Sequence, residues 1–548
     1  MFTIKQGKNF FLILKQVVDQ QCLALNQLDA VIGDGDHGTT MQRGVNEIFN
    51  AIYKTDCQDF AELFDLAAIA FAEGSGGAIG PILSAFFAEG GALFKGKTAL
   101  STQDLAALFK NGAGAIMQVG GASPGEKTIL DAIVPAYENL AAHGNESPAD
   151  ILEETLQVTK NAAEGTKSML AKQGRARFLK ENSINYQDAG ATSFSWIVYA
   201  LWKAASGESP DPVGNELPQQ DLQPHAKFIN SPEDMVRQDN RGLALAYPNL
   251  VKCSDDGVLI RARSKERGKT GIAIGHGGGH TPSMGGFVGP GLLDADVYGP
   301  IYTCAAGVNI FKAVQHADRG YGVVLLVSNH SGDVLNARLA ARRAEQAGIP
   351  LEMVLCSDDV ATAPRSQILE RRGLGGLLFT LKIGGAAAEQ GDYLHSVASL
   401  MRTTNERTAS LSVALNPSCE TEQDHLEIGT GVHGEAGVYS GTLKSADDVV
   451  NMVMEKLMKD LESFPEKRYL IFINGSGGTS LMELHILFQK AYELLIQHGI
   501  QPAGSVVGSF FTTADTKGFS ISLCALTDEL ETLWNEPASG PCFHWPYE

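Results

Sequence analysis

The chain has 548 residues, 44% of them hydrophobic and 60 of them glycine, with a formal net charge of −20. That length predicts two or three domains with sizeable cores, and the acidic balance excludes nucleic acid and an anionic membrane as partners. Eight scattered cysteines without a C-x-x-C spacing predict a reduced, cytoplasmic protein, and an early apolar run of five residues before Lys15 is too short for a signal segment or a membrane span.

Residues 9–29, 45–55, 59–74, 102–120, 128–144, 148–172 and 192–205 carry apolar positions at helical spacing, and no strand pattern stands out among them. An all-α bundle with its chemistry in the loops is predicted. The stretch LDAVIGDGDHGTTMQRG (28–44) sets Asp29, Asp34 and Asp36 within eight residues and follows them with His37, Thr39 and Arg43. Carboxylates crowded on a glycine-punctuated segment offer the hard oxygens that Mg²⁺ takes and shares with phosphates. An EF-hand is excluded, because Val45 stands where that loop needs Glu. A cluster of turn and capping residues is the plainer alternative. Three further loops, 74–80, 120–128 and 173–193, are rich in Gly, Ser or Thr just ahead of helical runs. Loops of that kind present amides and helix N-termini to phosphate, though each alone also reads as a cap or a tight turn. Neither Walker A nor a kinase glycine loop is present.

Residues 207–224 hold four prolines with no apolar periodicity and read as a linker. Beyond it, TGIAIG, YGVVLLVS, LEMVLCS, GGLLFTLK, SLSVALN and RYLIFIN read as strands between helices, an α/β region long enough for two subdomains. The first feeds a glycine loop that includes Gly277 and ends at His280. That histidine occupies a position where the dinucleotide fingerprint needs Gly. Asp333 falls where a strand gives way to a helix and reads as an N-cap or, in a cleft, a general base. His433 lies between glycines in GVHGEAG, either a surface-loop histidine or a nucleophile.

Together these stretches resemble the dihydroxyacetone kinase family over nearly the whole chain. The marks are LDxxIGDGDHGxxMxRG, Gly76–Gly77, PGxKTxLDA (124–132), GRARFL, DxGATS, the loop ending in His280, NxxGD (329–333), KIGGAAAEQG (382–391) and GVHGEAG. The order of domains is the reverse of the common single-chain form. The resemblance implies a multidomain α and α/β protein. An all-α helical barrel (1–206) would bind ATP and Mg²⁺, and an α/β ketose-binding domain of two subdomains (225–548) would follow. It implies that Asp29, Asp34 and Asp36 ligate Mg²⁺, and that His37, Thr39, Gly76, Gly77, Thr128, Arg175 and Asp188 surround the nucleotide. It further implies a ketose tethered covalently by His433, hydrogen-bonded by His280 and deprotonated by Asp333, with Gly277 and Cys304 in the substrate shell. The expected activity is ATP-dependent phosphorylation of a terminal hydroxyl of a small ketose, by a cytoplasmic homodimer.

Relatives usually carry GGGSGHEPAH in the glycine loop, whereas this chain has GHGGGHTPSM, with Thr281 and Met284 replacing Glu and His. Cys304 replaces a usual Ser, and His330 a usual Tyr. These changes at the pocket rim predict a substrate longer than dihydroxyacetone, such as erythrulose or a branched pentulose. The alternatives are a phosphoenolpyruvate-linked component, a non-catalytic coregulator and cyclising cleavage of FAD.

Overall fold

The structure is a computed structural model that describes residues 1–208, 228–231, 234–416, 425–431, 437–513 and 516–546. The chain divides into two compact units, Met1–Asn230 and Ser231–Glu548. Most of the expected linker lies outside the described residues.

The first unit opens with strand β1 (Phe2–Thr3) and helices α1 (Ile4–Ala30), α2 (His37–Lys54), α3 (Phe60–Gly74) and α4 (Ile79–Leu93). Strand β2 (Ala99–Leu100), α5 (Thr102–Gly120), α6 (Leu130–Ala142), α7 (Pro148–Gly165) and α8 (Ala189–Ala205) complete it. Each helix packs on the next, and α8 packs back on α1, so the eight close into a ring. The Gln6 amide of α1 donates to the Ala205 carbonyl of α8 at 2.9 Å, which fastens the seam. Successive helices reverse direction, so the connections α1–α2, α3–α4, α5–α6 and α7–α8 share one end of the ring. These are the four loops singled out by composition.

Aromatic residues fill the ring. Phe11, Phe64, Phe71, Phe86, Phe87, Phe109 and Phe194 are buried and meet mostly edge to face. Gly44, Gly90 and Gly112 leave the space those rings occupy: a methyl at each would overlap Phe71, Phe64 and Phe86 respectively. The helical expectation for this unit holds. Helix α4 is not among the runs read from the sequence, because IGPILSAFFAEGGAL is apolar almost all round and follows a glycine loop, which hides its period. A two-residue antiparallel pair, β1 with β2, is a small addition to the helices.

In the second unit, α9 (Met235–Ala246) precedes β3 (Val251–Cys253), β4 (Leu259–Arg261), β5 (Gly271–Gly278) and β6 (Ala295–Ile301). Helix α10 (Gly307–Ala317), β7 (Val323–Ser328), α11 (Ser331–Gln346) and β8 (Leu351–Cys356) follow. The six strands order as β3-β4-β6-β5-β7-β8, parallel from β6 to β8. After α12 (Leu377–Gln390) and α13 (Leu394–Glu406) come β9 (Thr408–Asn416), β10 (His425–Ile428), β11 (Tyr439–Thr442), α14 (Ala446–Leu461) and β12 (Arg468–Gly475). The last elements are α15 (Leu481–Gln497), β13 (Gln501–Gly508), β14 (Gly518–Ala525), α16 (Asp528–Trp534), β15 (Ala538–Gly540) and β16 (Phe543–Trp545). The second sheet, β11-β10-β9-β14-β12-β13, is antiparallel except for β12 with β13, so both sheets are mixed, the first carrying antiparallel pairs at β3–β4 and β4–β6. GGLLFTLK is corrected: it opens α12 instead of forming a strand. A helix buried on all sides has the same continuous apolar run as a buried strand.

The ring predicts opposite outcomes for two glycines of α5. Gly112→Ala gains helix propensity of about 1 kcal/mol but overpacks Phe86, and should cost a net ~1–2 kcal/mol in thermal or urea unfolding. Gly114→Ala meets nothing within 4 Å and should stabilise by up to about 1 kcal/mol.

Candidate active site

At the loop end of the ring, the last turn of α1 supplies Asp29 and the α1–α2 loop supplies Asp34 and Asp36. Their carboxylate oxygens lie within 4.8 Å of one another, half-buried. The turn is fixed locally. Gly35, at φ +76°, donates its N–H to Asp29 Oδ2 at 2.8 Å, and Gly33 donates to the Asp29 carbonyl at 2.6 Å. Burial pushes the Asp34 carboxyl up to about 8. Asp36 and Asp29 add to the rise, while the Arg175 guanidinium, in ion-pair contact with Asp34, opposes it. Three hard oxygen donors this close fit a divalent cation such as Mg²⁺.

The other nucleotide candidates divide into those at this end and those with local work. His37 begins α2, and its Nε2 lies 3.0 Å from Ser193 Oγ of α8, which itself donates to the Gly190 carbonyl. The hydroxyl hydrogen is thus used, so Nε2 is the donor to Ser193. Burial lowers the His37 pKa against the pull of Asp29 and Asp36. Thr39 instead clasps α1: its hydroxyl accepts from Asn26 Nδ2 at 2.8 Å, and its N–H donates to Asn26 Oδ1 at 3.0 Å. Gly76 and Gly77, the latter at φ +67°, make the short turn into α4. Asp188 caps α8 through the Ala191 N–H at 2.6 Å, and burial raises its carboxyl to about 7. Thr128 donates its N–H to Asp131 Oδ2 at 2.7 Å.

Two residues of this site carried no role in the sequence reading. Asp131 closes the α5–α6 loop by accepting the Gly125 and Thr128 N–H groups. Lys127, at φ +62°, is buried, and its ammonium donates to the carbonyls of Thr166, Ser183 and Tyr186 at 2.6–3.0 Å. It ties the α5–α6 loop to the segment that carries Arg175 and Asp188. The signal was present in PGEKT, but a lysine in a loop ordinarily reads as solvated.

In the second unit, β5 ends in the glycine loop, and the backbone of Thr303 stands 3.2 Å from where a Gly277 side chain would begin. Cys304 is buried beside it and accepts from Asn336 Nδ2 at 3.2 Å. His280 Nδ1 donates to the Thr512 carbonyl at 2.7 Å, which leaves Nε2 as the acceptor nitrogen. Asp333 is buried in the first turn of α11, where the helix dipole favours a carboxylate. It is not the N-cap that position suggested, for His330 holds that place. The His330 ring lies 3.2 Å from the Gly373 carbonyl. Thr281 is exposed and donates to Asp239 of α9 at 2.8 Å. Met284 is corrected: it lies in the hydrophobic core with Phe287, not at a pocket rim, because the loop turns inward after Pro282. His433 lies outside the described residues.

Residues 31–203 match the DAK2 domain, and residues 241–542 match the Dak1 domain. An L-erythrulose kinase of Pectobacterium atrosepticum is 31% identical over 329 residues, 58% of this chain and 56% of that one. The chain thus spans little more than half the length of that relative. The dihydroxyacetone-binding subunit DhaK of a PTS-dependent dihydroxyacetone kinase of Lactococcus lactis is 32% identical, covering 55% of this chain and 94% of the subunit. The crystal structure of the dihydroxyacetone kinase from C. freundii with AMP-PNP and Mg²⁺ aligns at TM-score 0.52 and 28% identity, over 57% of this chain and 60% of that one.

Two outcomes follow for the helical unit. Lys127→Met should lower unfolding stability by about 2–4 kcal/mol, since it strands carbonyls that an ammonium now satisfies, and should speed hydrogen exchange across 166–188. Asp34 and Asp188 have folded pKa values of about 8 and about 7, above the ordinary carboxylate value. Their contribution to metal-free stability is therefore full at about pH 4 and is lost as pH rises through 7 and 8. Because Mg²⁺ competes with those protons, the Tm increment it gives should be larger at pH 8 than at pH 5.5. An increment independent of pH would disprove the competition.

Proposed function

The chain belongs to the dihydroxyacetone kinase family, and on that premise we propose that it transfers the γ-phosphate of ATP to a terminal hydroxyl of a small ketose. The observation that carries this reading is the trio Asp29, Asp34 and Asp36 with its oxygens within 4.8 Å, at the end of the ring where four helices begin. Bound there, Mg²⁺ would neutralise charge on the phosphate oxygens. Arg175 is placed to add positive charge. His37, Gly76, Gly77, Thr128 and Asp188 border the same end, and Thr39 acts by fixing α2 against α1. Phosphoryl transfer needs alignment and charge neutralisation more than covalent help, and both are of the kind these residues offer.

In the α/β unit, Asp333 is proposed to take the hydroxyl proton, and His280 to accept a substrate hydroxyl through Nε2, its Nδ1 hydrogen being held by Thr512. His433 is proposed to bond the ketone carbon, a tether that glycerol cannot form. Gly277 lets the ketose approach the backbone, with Cys304 behind it. With Met284 removed from the rim, the case for a four- or five-carbon ketose rests on Thr281, Cys304 and His330 and on relatives named for erythrulose. A homodimer is the proposed assembly, supported by Met482, Ile486 and Ile496 exposed along one face of α15. A reducing, cytoplasmic setting is the proposed one, supported by cysteines scattered along the sequence without a C-x-x-C spacing.

Purified protein with ATP and Mg²⁺ should phosphorylate C3–C5 ketoses, with kcat/KM for a four- or five-carbon ketose at least ~10-fold above that for dihydroxyacetone. Asp34→Ala should abolish turnover while leaving ketose binding. Dihydroxyacetone as best substrate would refute the size preference, and full activity of the alanine variant would remove the trio from the chemistry.

A further inference from the structure

Beneath the glycine loop lies a polar cluster that the proposed chemistry does not use: His276 of β5 with Asp296 and Tyr298 of β6. Asp296 is fully buried, and apart from the His276 ring neither of its carboxylate oxygens meets a hydrogen-bond donor among the described residues. His276 Nε2 lies 3.3 Å from Asp296 Oδ1, and the Met284 backbone N–H donates to the same nitrogen at 3.1 Å. The Tyr298 hydroxyl accepts the Gly285 N–H at 2.9 Å and donates to the Ser283 carbonyl at 3.0 Å. Its ring centre is 4.5 Å from that of His276. The two side chains therefore grip residues 283–285 from below. The same loop starts at His280, whose carbonyl accepts the Ser283 N–H at 3.1 Å.

We propose that His276 and Asp296 share one proton, and that this pair positions the 280–285 loop, and with it His280, for the ketose. The inference rests on the ketose reading of His280 given above. A carboxylate with no donors in a dry interior is costly, so Asp296 persists either as the neutral acid or as the partner of an imidazolium. With the proton on Asp296, the lone pair of Nε2 is available to the Met284 amide, as the structure shows. With the proton on Nε2, the ion pair forms and that buried amide loses its acceptor. With the proton gone, a bare buried carboxylate faces a lone pair, and the local packing must open to water.

The surroundings favour keeping the proton. Burial pulls the His276 pKa down, but Asp296, Asp333 and the Gly277 backbone together hold it above the ordinary imidazole range. Burial keeps Tyr298 in its neutral form, and Asp296, Asp239 and Cys542 act in the same direction. Because the His276 pKa is raised, the pair keeps its proton below that raised value and loses it as pH rises through it, and the packing under the loop opens with that loss.

The test uses the full chain and separates acceptor from proton. His276→Leu removes the acceptor for the Met284 amide, whereas His276→Gln keeps one in its side-chain carbonyl. The Leu variant should raise the ketose KM roughly 10-fold, the cost of one unmet buried amide, with the ATP KM unmoved and faster hydrogen exchange over 280–288. The Gln variant should restore both. The natural chain should show an alkaline rise in ketose KM, and Asp296→Asn, which carries a fixed donor, should flatten it. Equal KM values in the Leu and Gln variants, or a parallel shift in the ATP KM, would overturn the proposal, as would unchanged exchange. Exchange needs no substrate: faster exchange in the Leu variant together with no ketose turned over by the natural chain rejects the ketose reading and supports the pair.

Discussion

Closure of the helical ring sets what the first unit can do. Eight helices of alternating direction place the N-termini of α2, α4, α6 and α8 at one end, each equivalent to about half a positive charge. The three aspartates also lie at that end. At 4.8 Å and an effective dielectric constant near 20, each pair of carboxylates repels by roughly 3–4 kcal/mol. A helix terminus returns about 0.3–1 kcal/mol. Helix ends therefore cannot hold the cluster in its charged form, and protons, Arg175 or a divalent cation must. The raised pKa of Asp34 is the metal-free answer to this constraint. The same end offers carboxylate oxygens of the kind a metal takes and helix N-termini of the kind phosphate takes.

The α/β unit faces a different problem. The proposed ligand, a small neutral ketose, would bring no charge to exploit and little apolar surface, so its recognition would rest on hydrogen-bond geometry. The loop from His280 to Gly285 is accordingly held on every described side. Thr512 and Phe510 accept from His280 and Ser283, Asp239 accepts from Thr281, and His276 and Tyr298 accept from Met284 and Gly285. A loop pinned at so many points is preorganised, and a displaced donor costs more than a displaced apolar contact.

What the sequence made legible follows the range of the interactions. Asp29, Asp34 and Asp36 act within one turn, so their spacing alone pointed to a shared site. The four glycine-rich loops were legible as phosphate-type loops, but only ring closure shows why they belong together. Lys127 was not legible, because the carbonyls it binds lie 39, 56 and 59 residues further along the chain. Asp296 was not legible either, since an isolated Asp in a strand gives no sign that its partner is a histidine on the neighbouring strand. GGLLFTLK was misread because an apolar stretch says that it is buried, not in what form, and Met284 because its place was taken from the relatives' loop and not from its own apolar side chain. Of the two readings of Asp333, the N-cap fails, since the residue lies three positions past His330 and the sequence locates a helix start without fixing which residue caps it.

These differences bear on where substrate preference resides. A pocket wall that gains or loses one methylene discriminates by about 1–3 kcal/mol, whereas a buried hydrogen-bonding group left unmatched discriminates far more. Met284 is in the core, so it forms no wall for the proposed sugar, while Thr281 is exposed and tied to Asp239. Cys304 and His330, by contrast, are buried and already committed to Asn336 and to the Gly373 carbonyl. Both sit at the C-terminal ends of the parallel strands β6 and β7, where α/β sheets bind ligands. A substrate group reaching them must match those bonds or break them. On the proposed ketose reading, preference among ketoses of different length would follow which hydroxyl groups this buried polar layer satisfies more than room at the rim.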